Sequence, residues 1–247
     1  MSGSLERRFF EVEGRVVLIT GAAGGLGGAL VSAFAAGGWR VVAGVHRSEP
    51  RWECEGVMCV GLDVRDRESC RQGIERVIRT FGKVDCLVNS AGLNRDGLLS
   101  RLTERDWDDV LGVNLGGVMR CIREVLPGML KQRDGHIINV SSFAARQGTL
   151  GQSAYVSAKA GVLGLTQALA REVGSRNVRV NSVLPGVLRT GMTEALPAAR
   201  LDAMAAENVL GRLNRLDEVA RFVVFLAGMQ DVSGQVFQLD SRIGPWT

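Results

Sequence analysis

Seven short apolar runs, most of them separated by stretches of helical spacing, constrain this chain more than any other feature. The strand-like runs are residues 16–20, 41–45, 58–62, 86–89, 136–141, 178–184 and 235–239. Helical spacing of apolar positions predicts helices over 26–36, 67–80, 104–131, 154–173 and 217–229. The strands are near-continuous in apolar residues rather than alternating, so both of their faces must be covered, as in a parallel sheet packed between helices. Right-handed crossovers then require a doubly wound sheet, with its ligand crevice at the carboxyl ends of the strands. The expectation is an α/β fold of about seven strands with helices on both faces.

No repeat, low-complexity tract or linker divides the sequence, and 247 residues with 46% apolar composition suffice for one large domain over 1–247. Residues 1–13 carry Glu6, Arg7, Arg8, Glu11 and Glu13 without an apolar core, so they are expected to form a loosely attached extension rather than a signal peptide. No apolar run reaches membrane-spanning length, which argues against a membrane protein. Five cysteines form no C-x-x-C pair and two histidines form no ligand cluster, which points to free thiols in a reducing, cytoplasmic setting and to no metal. The formal charge of +4 is spread among acids without a basic run, so nucleic acid is disfavoured as a partner and an acidic protein is not.

The first strand leads into Thr20-Gly21-Ala22-Ala23-Gly24-Gly25-Leu26-Gly27 and then a helix. Glycines in that position permit a sharp turn and let backbone N–H groups approach a pyrophosphate, the dinucleotide-binding arrangement of a Rossmann fold. The second strand ends Val45-His46-Arg47, with no acid to take a ribose 2′-hydroxyl. Arg47, helped by His46 and Ser48, suits a 2′-phosphate instead, which favours NADP (NADPH) over NAD, unless Arg47 is simply a solvated loop charge. Asp63 and Val64 end the third strand, where they can meet an adenine amino group and ring. The turn through Asn89, Ser90, Ala91 and Gly92 lets backbone approach a ribose. Pro185 and Gly186 end the sixth strand, and the partly apolar segment that follows, to about Leu213, reads as a lid, although Leu196, Leu201 and Met204 would serve a core equally well.

Tyr155 and Lys159 lie one helical turn apart on one face. An ammonium about 4 Å from a phenol favours the phenolate by roughly 4 kcal/mol at an effective dielectric of about 20, which would make Tyr155 a general acid or base near neutrality. The same spacing alone describes an ordinary surface pair. Ser142, at the end of the fifth strand, can hold a substrate carbonyl or merely cap a turn. Asn114 sits in an apolar helix, where its amide needs a partner, either a bound water or a backbone group.

Taken together, T-G-x-x-x-G-x-G, N-S-A-G, Asn114, Ser142, Y-x-x-x-K and P-G with Thr190 resemble the short-chain dehydrogenase/reductase family in order and spacing, over about residues 15–239. The stretches at residues 92–99 and 151–155 look most like its 3-oxoacyl-acyl-carrier-protein reductases. The resemblance implies NADPH-dependent reduction of a 3-oxoacyl thioester, with another ketone or secondary alcohol as the alternative substrate. A catalytically silent dinucleotide-binding regulator is the non-enzyme alternative, against which the intact Ser142, Tyr155 and Lys159 argue. By resemblance, Ser142 polarises the ketone, Tyr155 donates the proton, Lys159 holds the nicotinamide ribose and lowers the Tyr155 pKa, and Asn114 holds a water. Thr190 and backbone near Val187 would hold the nicotinamide carboxamide. The resemblance also implies a homotetramer and docking of an acidic acyl-carrier protein on Arg133 and Arg176. Two departures stand out: Gly24 replaces a common basic residue, and Ser241-Arg242 replaces the Gly-Gly that often follows Asp240.

Overall fold

The computed structural model describes residues 14–47, 52, 54–194 and 196–244; the predicted extension over 1–13, and Ser48 as a helper of Arg47, lie outside these. All seven strands form one parallel sheet in the order β3-β2-β1-β4-β5-β6-β7. They are β1 (Val16–Thr20), β2 (Arg40–Val45), β3 (Met58–Gly61), β4 (Cys86–Asn89), β5 (Gly135–Val140), β6 (Val178–Leu184) and β7 (Val236–Gln238). Every residue of β1, β4, β5 and β6 is buried, as continuous apolar runs require. Strand order reverses between β1 and β4, and the crevice opens at that switch point.

Residue alternation along each strand sends side chains to two separate cores. Val16 and Leu18 of β1 pack with one core, and Val17 and Ile19 with the other. The first core is closed by α2 (Arg67–Phe81), α4 (Val118–Gln132) and α6 (Ser153–Val173). The second is closed by α1 (Gly25–Ala36) and α8 (Leu216–Gly228), with Phe34 packed edge-on against Trp39.

The single helix expected over 104–131 is instead three pieces. α3 (Glu104–Leu111) passes through a π-helical turn (Gly112–Gly117) into α4. Close packing accounts for the last glycine there: a Cβ on Gly117 would collide with Val64. Two short helices had no clear periodic signal, α5 (Ala144–Gln147) and α7 (Ala198–Ala206).

His136 of β5 is fully buried beside Arg179, and its Nε2 lies 2.9 Å from the Asn181 amide. Burial, reinforced by the Arg179 charge, holds its pKa down at about 3. A base whose folded pKa lies below its unfolded value of 6.5 is protonated first in the unfolded chain. Stability is therefore expected to fall as pH drops from about 6.5 towards 3. Denaturant titrations of His136→Gln should show a flatter pH dependence over that window, and an unchanged slope would refute the assignment.

Candidate active site

A cleft of about 720 Å³ runs across the carboxyl ends of the strands and is lined by most of the residues singled out in the sequence. Its first arm begins at the turn after β1. Gly21 adopts φ 65°, and a Cβ there would strike the backbone of Ala91, while one on Gly27 would strike Gly21 and Ala22. This close approach fixes where the first helix points. Gly24 caps α1 with no side-chain hydrogen bond, and no acid stands in the first turn, so the helix N-terminus presents bare N–H groups and positive dipole to the cleft. Thr190 packs so closely over Gly25 that a Cβ there would meet its methyl group. The Thr20 hydroxyl accepts from Ser90 and Ala91 N–H groups at 3.1 and 3.2 Å, locking the ends of β1 and β4 together.

Beyond β2 the cleft is bordered by His46, Arg47, Asp63, Val64 and Arg65. Asp63, assigned to an adenine, lines the cleft and takes a forked pair of bonds from Arg65 at 3.1 and 2.9 Å, with His46 Nε2 3.2 Å away. The Arg65 hydrogen bonds, aided by the His46 charge, hold its pKa down to about 2 despite partial burial. Arg47 is exposed at the same rim.

Ser142, Tyr155 and Lys159 converge on the opposite wall. β5 delivers Ser141 and Ser142 to the rim. The Ser141 hydroxyl donates to Lys159 O at 2.8 Å, and the buried Ser142 oxygen accepts from Ala144 N at 3.2 Å. Lys159 is buried and donates to Val140 O at 2.8 Å; its Nζ lies 5.7 Å from the Tyr155 ring centroid. Burial lowers its pKa to about 8. For Tyr155 the outcome differs from the expected downward shift. Burial raises the phenol pKa, a hydrogen bond with Ser142 offsets part of this, and the Asp96 charge adds to the rise. The Lys159 ammonium is committed to a carbonyl rather than to the phenol, so the protein alone keeps Tyr155 protonated.

Asn114 and Asn89 do not line the cleft. The Asn114 amide is buried in the π-helical turn, where it donates to Leu93 O at 2.6 Å and accepts from Leu93 N at 3.0 Å. Backbone was one of the two partners expected for it. The Asn89 amide donates to Asn139 at 2.9 Å, and Asn139 donates to Thr166 at 2.9 Å. That internal chain ties β4, β5 and α6 together, so only the Ser90, Ala91 and Gly92 part of the turn faces the cleft.

A family model described as short chain dehydrogenase matches residues 15–201. The chain belongs to this family. It is 43% identical over 242 residues to a protein of Thermotoga maritima named 3-oxoacyl-[acyl-carrier-protein] reductase FabG, covering 94% of this chain and 98% of that one. Proteins with the same name from Vibrio cholerae and Staphylococcus aureus are 41% and 38% identical. They cover 87% and 90% of this chain, and 91% and 95% of their own lengths.

Set against this family, the bare α1 N-terminus and the close turn at Gly21 fit a nicotinamide dinucleotide. Among the described residues no group of His, Cys, Asp and Glu could hold a metal, and no helix is long and apolar enough to cross a membrane. Sequence reasoning missed Arg65, whose only signal was its place two residues after Asp63. It also missed Asp96, which accepts from Gln152 at 2.9 Å and Asn94 at 2.7 Å beside the Tyr155 wall. In the predicted lid, Leu196, Arg200 and Met204 line the cleft whereas Leu201 is buried. Arg133 and Arg176 do not border the cleft of their own chain. Each precedes the start of its strand, β5 or β6, at the opposite end of the sheet from Ser142.

Proposed function

We propose that this short chain dehydrogenase reduces a 3-oxoacyl thioester to the 3-hydroxyacyl thioester with NADPH. The observation that carries the reading is the convergence of Ser142, Tyr155 and Lys159 on one wall of a cleft whose other arm ends at the uncapped N-terminus of α1. The similarity to three proteins named as 3-oxoacyl-[acyl-carrier-protein] reductases supports the substrate class.

NADPH would supply the hydride when bound. The Gly21–Gly27 turn and the α1 N-terminus would hold its pyrophosphate, Arg47 and Arg65 its 2′-phosphate, and Lys159 the ribose nearer the ketone. Pro185, Gly186, Val187 and Thr190 wall the far end. The Ser142 hydroxyl orients and polarises the ketone oxygen. Tyr155, kept protonated by burial, donates its proton to that oxygen as charge develops on it. The Asn114 amide gives one donor and one acceptor to the Leu93 backbone, which fixes its position beside the cleft.

Purified protein with NADPH and acetoacetyl thioesters should consume one NADPH per ketone reduced, faster than with a panel of free ketones. Turnover of free ketones alone would replace this reading with a general ketone reductase. Arg47→Ala and Arg65→Ala are each expected to raise the KM for NADPH about tenfold, with that for NADH almost unchanged, since charge-assisted bonds to a phosphate are lost. Equal effects on both dinucleotides would remove the arginines from phosphate recognition.

A carrier protein docked on Arg133 and Arg176 would sit roughly 20 Å, the length of a six-residue strand, from the Ser142 end of β5. That placement suits delivery to a neighbouring subunit of a homotetramer better than to the same chain. The cationic balance of the chain favours such an acidic partner.

A further inference from the structure

The C-terminal tail is tied into the substrate lid through a buried arginine. After β7 the chain turns back, and the Arg242 side chain is only 3% exposed while Asp240, its ion-pair partner, is fully buried. Burying a guanidinium is costly unless its donors are satisfied. Arg242 meets that demand with three separate parts of the molecule. It pairs with Asp240 of the tail. At the end of lid helix α7 it donates to Glu207 at 3.1 Å and Met204 O at 3.4 Å. Its guanidinium carbon lies 4.0 Å from the centre of the ring of Phe143, the residue that follows Ser142.

A second set of bonds runs beside the first. Val209 N donates to Ser241 O at 3.2 Å, Ser241 N donates to Asn208 at 3.3 Å, and the Asn214 amide donates to Leu239 O at 2.6 Å. The lid is thus fastened at its C-terminal end, while Leu196, Arg200 and Met204 form a wall of the cleft. A buried ion pair adds little net stability compared with apolar packing of equal volume, so what this cluster contributes is a fixed relative position.

We propose that Arg242 is a positioning residue that clamps lid helix α7 against the Phe143–Ser142 loop, so that the C-terminal tail sets the width of the substrate arm of the cleft. The proposal rests on the reductase reading of that cleft. It makes the tail a determinant of substrate affinity, and it leaves the dinucleotide arm, built on β1, β2 and α1, untouched.

The test uses the full chain with Arg242→Met, which keeps an apolar stem over Phe143, and Glu207→Ala, which cuts the clamp at a side chain 57% exposed. Trypsin cleavage after Arg200 or Arg212 should accelerate about fivefold or more in both, because the lid opens locally more often. The KM for an acetoacetyl thioester should rise by about the same factor, with kcat and NADPH affinity within about twofold, the pattern of lost ground-state binding. Unaltered cleavage and KM in both variants would overturn the proposal. So would a faster cut with KM unmoved, or an equal loss of NADPH and thioester affinity. Should Arg242→Met fail to fold, Glu207→Ala is judged alone by the same criteria. The proteolysis needs no substrate, so an enzyme inactive on acyl thioesters would refute the functional reading and still leave the clamp to be decided.

Discussion

Tyr155→Phe is expected to cut turnover by about 10²–10⁴-fold, the usual contribution of a positioned general acid, and to leave NADPH affinity nearly intact. The ring, which shares its wall of the cleft with Lys159, is retained; only the hydroxyl that bonds Ser142 is removed. Steady-state rates set beside equilibrium NADPH binding would check both halves. Retention of more than about a tenth of the parent rate would place the proton donor elsewhere. The pH dependence has a definite sign. Burial raises the phenol pKa above 10.0, so the acid form persists across neutral pH. Reduction should hold steady there and decline only as the phenol ionises in alkali, whereas the reverse oxidation should gain over the same range.

Lys159→Met should abolish most activity without costing the fold its stability. The ammonium is buried, its resolved partner is the Val140 carbonyl at 2.8 Å, and burial brings its pKa from 10.5 to about 8. A base whose folded pKa is depressed binds more protons unfolded than folded between those two values. The penalty is therefore fully present below about pH 8 and is relieved as pH rises towards 10.5. Thermal melts of the parent should gain stability from this group across that window, and the Met variant should lack the gain. At pH 7 the variant is expected to melt no lower than the parent, while turnover falls by about a hundredfold or more. A large drop in melting temperature at pH 7 would mean that Lys159 holds the structure together rather than serving the chemistry.

The fold was legible because its signals are local. Four of the strands are buried from end to end, and their largely apolar runs must be covered on both faces whatever their neighbours are. The turn from Gly21 to Gly27 follows the first strand and opens a helix, an order that leaves few alternatives for β1 and α1. Tyr155 and Lys159 were legible because helix geometry places residues four apart on one face, and the structure puts both on the cleft wall.

What the sequence could not resolve depends on partners distant in the chain. Asn114 was singled out as a polar group needing a partner, which the Leu93 backbone 21 residues away supplies, whereas the Asn89 amide, read only as part of a turn, reaches Asn139 across 50 residues. Desolvation is likewise a property of the packed molecule, which is why the phenol shifts upward where a pairwise estimate with Lys159 gave the opposite sign.

The sequence by itself determined that this chain winds a parallel sheet between two layers of helices and brings a dinucleotide turn and a tyrosine–lysine pair to the same edge. Apolar periodicity and glycine placement act residue by residue, so they survive without knowledge of the whole. Only the tertiary structure decided which polar side chains remain free for a ligand, what proton state Tyr155 holds, and that Arg242 reaches back to Met204, Glu207 and Phe143. These depend on burial and on distances between segments far apart in sequence, and both quantities exist only once the chain has packed.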